Sequence, residues 1–443
     1  MKPTKAQSPA NRKRHKLLAK ILVGVAYLAI GVLLVGWELQ EQGYLFSSDD
    51  CNLRSTPQVE NPLMDPLYAA ILSLTTSGTS DRVSVVAIDS SLQVIQQNVC
   101  PAREFTADLI AAIAAQGPAA IAIDKFYGES ACPPGDKGTA ALQKAVTSLQ
   151  TPALTIPLVV GASTHEAPAA SAAASCIVLT PQLDLGPGIH RGLTRLNWDV
   201  LKLPLRWPVL LHDNDTQASV GPESESFSLV AARQADPALL QNTNFTRTLN
   251  SPQQPYANVS GVLQRQTATD LLCTAAPDKA KNWNMDCTGH TTKFDLHNKV
   301  VVIGAESDSD YPAVLGKGMY GFDLQAHYIA ALLSNSYLRQ VSPLFLLLPL
   351  ALYYCLSELL IPYMHIHHHP RRPLFHINRP LTWTIGVFFA TIALGILLPL
   401  AFHRFPPLGM LLGISGILIP RLLIEGWALL NERMEDPKED GLA

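Results

Sequence analysis

The chain has 443 residues, of which 48% are hydrophobic and only 16% are charged. A soluble domain usually carries about 25% charged residues, so the composition excludes a wholly soluble protein and indicates membrane-embedded and soluble parts in one chain. The formal net charge of -3 argues against nucleic-acid binding, because that function depends on a strongly basic surface. No nucleic acid is therefore expected among its partners.

Four apolar segments are long enough to cross a lipid bilayer, which needs roughly 20 residues per helix. They are residues 17–37, 343–364, 381–402 and 408–430. Residues 37–42 lack the small side chains of a cleavage site, so the first segment is predicted to be an uncleaved signal anchor rather than a removed signal peptide. The sequence thus predicts one membrane helix before, and three after, a large outer domain.

The basic residues indicate which segments face the cytoplasm. The first 20 residues contain seven Lys or Arg residues and no acid, and the loop 365–380 contains three Arg residues and no acid. Because positive residues remain on the cytoplasmic side, that loop and the tails 1–16 and 431–443 are predicted to be cytoplasmic. The domain 38–342 is predicted to lie on the other side of the membrane.

Six of the seven cysteines lie in this outer domain, and the seventh, Cys355, lies in the second apolar segment. An even number of cysteines in an oxidising compartment predicts disulfides. The first pair we expect is Cys273 with Cys287, which flank a polar loop; buried free thiols are the alternative. No C-x-x-C spacing predicts a zinc site. The six disulfide candidates are Cys51, Cys100, Cys132, Cys176, Cys273 and Cys287.

Strands and helices alternate in the first half of the outer domain. Short apolar runs rich in β-branched residues predict buried strands at 82–89, 119–124 and 157–161. Helical spacing of apolar residues predicts helices at 102–116 and 138–149. This alternation predicts an α/β fold, with a mostly parallel sheet and crossover helices that cover both of its faces.

The second half of the outer domain is less regular. Residues 181–222 cannot be assigned, and residues 236–295 are polar and turn-rich, which predicts decorating loops. A helix is predicted between them at 224–233. A further buried strand is predicted at 299–305, followed by a long helix at 322–338 that continues directly into the second apolar segment.

Five short elements occur in a fixed order. They are a Val-rich strand ending in Ile-Asp at 83–89, the triplet Pro-x-Arg at 101–103, Gly-Pro-Ala-Ala-Ile-Ala-Ile-Asp-Lys-Phe at 117–126, Lys-Val-Val-Val-Ile-Gly-Ala at 299–305, and Gly-x-x-x-Gln-Ala-His at 321–327. In this order and spacing the chain resembles the type-two CHASE domain, an extracytoplasmic sensory module of bacterial cyclases and histidine kinases. The resemblance spans most of residues 82–340.

The resemblance implies a multi-pass protein of the bacterial inner membrane, with a periplasmic or extracellular sensory domain between one helix and three helices. Two departures stand out. Cys100-Pro-Ala-Arg103 replaces an element that is commonly aromatic in the family, and no cyclase, kinase or phosphatase domain follows residue 430, since residues 431–443 are too few to fold alone. A separate membrane or cytoplasmic protein is therefore expected to supply the output. A homodimer is expected only by analogy with other membrane sensors, and the resemblance implies no cofactor.

Four residues of the outer domain are candidates for ligand binding: Asp89, Arg103, Asp124 and His327. Both aspartates end predicted parallel strands, where ligands bind in open α/β sheets. They could bind a cation or an amine, act in acid–base catalysis, or simply cap the following segment. Arg103 and Lys125 could neutralise them. His327, on a predicted helix, could equally be a packed, hydrogen-bonded side chain.

The loop 365–380 contains a histidine cluster at 365–369 together with His376. Imidazoles favour zinc, copper and nickel, but a loop facing the lipid headgroups explains the cluster as well. Whether this cluster binds metal is left open, and no dedicated metal site is expected.

Three charged residues lie within the predicted membrane helices: Glu358, Arg421 and Glu425. Such charges cost roughly 2.5–3.5 kcal/mol on insertion scales, so they tend to pair or to reach the interface. Arg421 and Glu425 can meet on one helix face, and Glu358 and Arg421 are hypothesised to pair between helices. Extension of each side chain toward the headgroups is the alternative.

The leading hypothesis is a sensory or receptor-like protein that recognises a ligand or an envelope state and signals through its helices to a partner. The first alternative is a structural or assembly subunit of an envelope complex that has no small-molecule ligand. A periplasmic hydrolase that uses Asp89 and Asp124 is a third hypothesis, but the protein is not expected to be an enzyme.

Overall fold

The computed structural model describes part of the chain, and the chain divides into two compact units. One unit comprises residues 47–340, and the other comprises residues 1–46 together with 341–443. The described residues are 29, 31–36, 65–76, 80–89, 92, 98–151, 154–166, 177–179, 182–194, 225–241, 256–259, 261–291, 294–306, 313–314, 317–339, 379–404, 406 and 411.

A six-stranded sheet lies at the centre of the unit 47–340. Its strands, numbered along the chain, are β1 (Val83–Ile88), β2 (Ala120–Ile123), β3 (Leu158–Ala162), β4 (Ile189–Leu193), β5 (Gln264–Thr267) and β6 (Val300–Ala305). Their order across the sheet is β5-β1-β6-β2-β3-β4. Every neighbouring pair is parallel, which confirms the predicted α/β fold.

Helices cover both faces of this sheet. Those of the unit are α1 (Asp65–Thr75), α2 (Val99–Ala114), α3 (Lys137–Ser148), α4 (Phe227–Ala235), α5 (Ala268–Ala275), α6 (Pro277–Asn282) and α7 (Gly321–Ser334). Helices α2, α3, α5 and α6 pack on one face, whereas α4 and α7 pack on the other. Val83 and Val85 of β1 face α4 and α7, while Val86 and Ile88 face the opposite side. Burial on both faces explains why the central strands are almost entirely apolar.

Two glycines let the helices of one face approach the sheet closely. A Cβ atom on Gly304 of β6 would lie 2.1 Å from Cγ of Phe322, and a Cβ atom on Gly192 of β4 would lie 2.4 Å from Cα of Phe227. No side chain fits at those distances. Helices α7 and α4 therefore rest directly on the backbone of β6 and β4.

Helix α7 ends at Ser334, before the predicted end at 338. Asn335 has a left-handed backbone with φ of 51°, a common helix terminator. Residues Tyr337–Leu338 then form a short strand that pairs antiparallel with Tyr256–Ala257. The predicted helix is therefore confirmed over Gly321–Ser334. Its predicted end at 338, and an unbroken helix from 322 into the next apolar segment, are wrong, because a strand occupies Tyr337–Leu338.

The prediction that residues 236–295 only decorate the fold is also wrong, because this range contributes β5, α5 and α6. The remaining ordered elements are short. Single 3₁₀ turns lie at Glu129–Ala131 and Pro237–Gln241. Three further two-stranded ribbons join Gln150–Thr151 with Leu154–Thr155, Thr164–Glu166 with Ile177–Leu179, and Ala313–Val314 with Lys317–Gly318.

Two disulfides are present in the described residues. Cys273 pairs with Cys287, as predicted, and Cys100 pairs with Cys132. The first bond closes the end of α5 onto the segment after α6, and the second ties the start of α2 to the segment before α3. The other two candidates, Cys51 and Cys176, lie outside the described residues.

The other unit contains helix α8 (Arg379–Ala401), at the place of the third predicted membrane segment. Of the residues that the structure describes, none belongs to a helix that is both long enough and apolar enough to span a membrane. The histidine cluster 365–369, Glu358, Arg421 and Glu425 lie outside the described residues.

Candidate functional site

Three acidic residues follow neighbouring strands at the carboxyl edge of the sheet; Asp89 is level with Glu306, and Asp124 is level with Gly304. Asp89 follows β1, Glu306 follows β6 and Asp124 follows β2. The backbone N–H of Glu306 donates to the Ile88 carbonyl at 3.0 Å, and the Asp124 N–H donates to the Ile303 carbonyl at 2.8 Å. Two strand spacings of about 4.8 Å, combined with an offset of two residues along the strands, place the backbones of Asp89 and Asp124 roughly 12 Å apart. Both aspartates occupy the predicted edge, with Glu306 between them.

The helix that follows β6 lies on the opposite face of the sheet from the helices that follow its neighbours β1 and β2. Helices α2 and α3, which follow β1 and β2, lie on one face, whereas α7, which follows β6, lies on the other. Adjacent connections that diverge in this way open a crevice at the carboxyl ends of the strands, where open α/β sheets bind ligands. The fold therefore favours a ligand at these three acids.

The acids at this edge are, however, already engaged. Asp89 accepts a hydrogen bond from the Thr269 hydroxyl of α5 at 3.2 Å, and Asp124 also interacts with its surroundings. Glu306 accepts a hydrogen bond of 2.7 Å from Nη2 of Arg265. These contacts agree with a structural role, which is the alternative that the sequence left open.

Arg265 holds a cluster at the start of α7. Its guanidinium bonds Glu306, lies 3.7 Å from Asp323, and stands 5.6 Å from the ring centroids of both Tyr320 and Phe322. Burial raises the pKa of Asp323 to about 6, partly offset by the nearby Arg265 charge. This cluster joins β5, β6 and α7.

Arg103 lies inside the domain, on the α2 face of the sheet. Its side chain is 1% exposed, and it donates to the Thr139 hydroxyl at 2.6 Å and to the Gly128 carbonyl at 2.7 Å. Burial, and then the Arg103 charge, lower the pKa of Lys125. Arg103 thereby connects α2 with the segment after β2 and with the first turn of α3.

His327 lies on the opposite face, on α7, and is 5% exposed. The structure therefore does not bring the four candidate residues together. Asp89 and Asp124 share an edge, whereas Arg103 and His327 are buried on different sides of the sheet. A common ligand site for all four is not supported by this placement, and the role of each in binding stays a prediction.

One group of metal-ligating side chains occurs among the described residues: Cys100, Cys132 and Asp136. Metals bind cysteine as the thiolate, and these two sulfurs are joined in a disulfide. The Asp136 carboxylate instead accepts a hydrogen bond from the Thr139 backbone N–H at 2.8 Å, which caps α3.

A cavity of about 340 Å³ lies beside the edge strand β4. Sequence reasoning missed it, because much of its wall comes from the range 181–222, where no pattern was assignable. Its wall combines the start of β4, the segment before it, one side of α4 and a residue that follows β2. The lining residues are Tyr127, Val160, Gln182, Leu183, Leu185, Gly186, Ile189, His190, Arg191, Glu225, Val230 and Arg233.

The polar groups of this cavity are only partly paired with one another. Arg233 donates to Oε1 of Glu225 at 2.5 Å, while the buried Oε2 of Glu225 has no hydrogen-bond partner among the described residues. Burial, and then the Arg233 charge, lower the pKa of the half-buried His190. Burial raises the pKa of Tyr127 to about 12, opposed by the Thr106 hydroxyl and Arg103.

A comparison with protein families gives one match. The model described as CHASE2 domain matches residues 32–359, a range that contains the whole sheet and all helices packed on it. Neither the comparison with curated proteins nor the comparison with solved structures gives a significant match.

Proposed function

The chain belongs to the CHASE2 domain family, and from this premise we propose that it is a sensory, receptor-like membrane protein that recognises a ligand or an envelope state. CHASE2 domains are extracytoplasmic sensory domains. The observation that carries the proposal is the extent of the match, which covers the complete α/β unit. A cavity of about 340 Å³ falls in the size range of small-molecule sites and gives such a domain a place for a ligand.

The proposed location is the bacterial inner membrane, with the unit 47–340 outside the cytoplasm and both chain ends inside. The family membership supports an extracytoplasmic domain. The disulfides Cys100–Cys132 and Cys273–Cys287 support it independently, since such bonds persist in oxidising compartments. The number and direction of the membrane helices rest on the sequence alone.

The proposed output is transmission to a separate protein rather than catalysis by this chain. In this proposal, ligand binding shifts the position of α7 and of the strand Tyr337–Leu338 that follows it. Small shifts of packed elements are a usual way to transmit a signal.

The test uses full-length protein in detergent and the small-molecule fraction of a periplasmic extract. A ligand present at 100 times its dissociation constant stabilises the folded state by about 2.7 kcal/mol, so an active fraction should raise the thermal unfolding midpoint by several degrees. The midpoint in buffer alone is the control. If no fraction shifts the midpoint, and the protein instead co-purifies with fixed partners at a constant ratio, a structural subunit replaces the sensor.

A further inference from the structure

The cavity beside β4 is lined by one cation, Arg191, that no acid among the described residues pairs with. Glu225 and Arg233 form an ion pair, and their charges cancel. Arg191 lines the same cavity, is exposed and has no ion-pair partner among the described residues. His190 adds little charge at neutral pH, because burial lowers its pKa. Within the described residues, the wall therefore has an uncompensated positive charge at Arg191.

Two lining residues of the same cavity have a buried oxygen without a hydrogen-bond partner among the described residues, the hydroxyl of Tyr127 and the carboxylate of Glu225, and only the carboxylate is anionic. Glu225 is a carboxylate with two oxygens, of which Oε1 binds Arg233 and Oε2 is buried without a partner in the described part of the chain. A buried acceptor without a donor is unfavourable, so a ligand that donates a hydrogen bond here gains more than one that does not. A cationic donor gains most, because its charge-assisted bond to a carboxylate is the strongest.

The rest of the wall is largely apolar. Val160, Leu183, Leu185, Ile189 and Val230 all line the cavity. Such a surface excludes water and favours a hydrocarbon group on the ligand.

We propose that this cavity binds an α-amino acid with an apolar side chain, its carboxylate on Arg191, its ammonium on Glu225 and its side chain on the apolar wall. The proposal rests on ligand recognition by the outer domain and names the chemical class of the ligand. A guanidinium fork matches a carboxylate well, and the cavity volume leaves room for a side chain of the size of leucine.

The test compares L-leucine, L-valine and L-methionine with two analogues of leucine that each lack one charged group. These are 4-methylpentanoate, which lacks the ammonium, and 3-methylbutylamine, which lacks the carboxylate. Binding to full-length protein in detergent is followed by the thermal midpoint and by calorimetry. At least one amino acid should bind, and each leucine analogue should bind at least tenfold more weakly than L-leucine.

Two variants assign the charged groups to their partners. Arg191→Gln should weaken amino-acid binding at least tenfold. Glu225→Gln should weaken the preference for L-leucine over 4-methylpentanoate, since the ammonium loses its anionic partner. The control is Arg82→Gln, which removes a half-exposed arginine paired with Asp236 at 2.7 Å outside the cavity and should leave binding unchanged.

Three outcomes would overturn the assignment: none of the three amino acids binds, an analogue binds as tightly as L-leucine, or Arg191→Gln binds as the unaltered protein does. If the amino acids fail while the periplasmic fraction still stabilises the protein, only the ligand class is wrong. If both fail and the protein co-purifies with fixed partners at a constant ratio, the sensory proposal itself is wrong.

Discussion

The two edge strands of the sheet each carry an arginine, and the two arginines have opposite surroundings. Arg265 of β5 contacts Glu306, Asp323 and two aromatic rings. Arg191 of β4 has no ion-pair partner among the described residues and borders a cavity. An arginine that is paired within its own chain contributes to the fold, whereas we propose that Arg191 is available to a ligand. In this proposal, β5 is a structural edge and β4 is a binding edge.

The largest effect on stability is expected from Gly304→Ala, which changes the packing of α7 on β6, next to the cluster around Arg265. The added Cβ would lie 2.1 Å from the Phe322 side chain, so α7 must move away from β6 and take Asp323 with it. Overpacking of this kind costs about 3 kcal/mol. Urea unfolding of full-length protein in detergent should report this loss. A variant as stable as the unaltered protein would mean that α7 does not rest on β6.

Next in size is the pH dependence caused by Asp323. Its pKa is raised from 3.8 to about 6, so between these values the folded state holds a proton that the unfolded state has lost. Stability should therefore fall as the pH rises from about 4 to about 6, by up to about 3 kcal/mol, and should stay level above that. Asp323→Asn should abolish this fall, whereas Asp81→Asn, at an exposed carboxylate, should retain it.

A matched pair of variants compares the contributions of Arg265 and Arg191 to stability directly. Arg265→Gln removes the partner of two partly buried carboxylates, Glu306 and Asp323, and should destabilise the protein by about 2 kcal/mol.

The matching change, Arg191→Gln, is expected to have the smallest effect, within about 0.5 kcal/mol, because the Arg191 side chain forms no hydrogen bond or ion pair within the described residues. Both variants replace an edge-strand arginine by glutamine, so the same urea titration compares them directly. Equal losses at the two positions would remove the distinction between a structural and a binding edge.

The four strands β1, β2, β3 and β6 could be predicted from the sequence for one physical reason. They are buried on both faces, so each is an apolar run, in which Ser84 of β1 is the one polar residue. The two edge strands could not, since Ile-His-Arg-Gly-Leu and Gln-Arg-Gln-Thr carry polar residues that a partly exposed strand tolerates. Arg265 and Arg191, which distinguish the two edges, thus lie in the two strands that could not be predicted from the sequence.

Part of the candidate site could likewise be predicted from the sequence, and part could not. The positions of Asp89 and Asp124 follow from the strands that they end. The cavity does not, because Tyr127, Gln182, Arg191 and Glu225 are far apart in sequence and meet only through the fold. One local signal was available and unused: Asn335 is a residue type that readily takes the left-handed conformation that ends a helix, and it marks the true end of α7.

The ribbon of Tyr337–Leu338 with Tyr256–Ala257 bears on how a structural change could be transmitted from α7 to the residues that follow it. A continuous helix would be a rigid element and would transmit a displacement along its axis. Here the helix ends just before Asn335, and Tyr337–Leu338, two residues further on, pair laterally with Tyr256–Ala257. In the sequence, Tyr256–Ala257 precedes β5 by six residues. A displacement of β5 is therefore expected to act on Tyr337–Leu338 from the side, through the paired residues Tyr256–Ala257, rather than along the axis of α7.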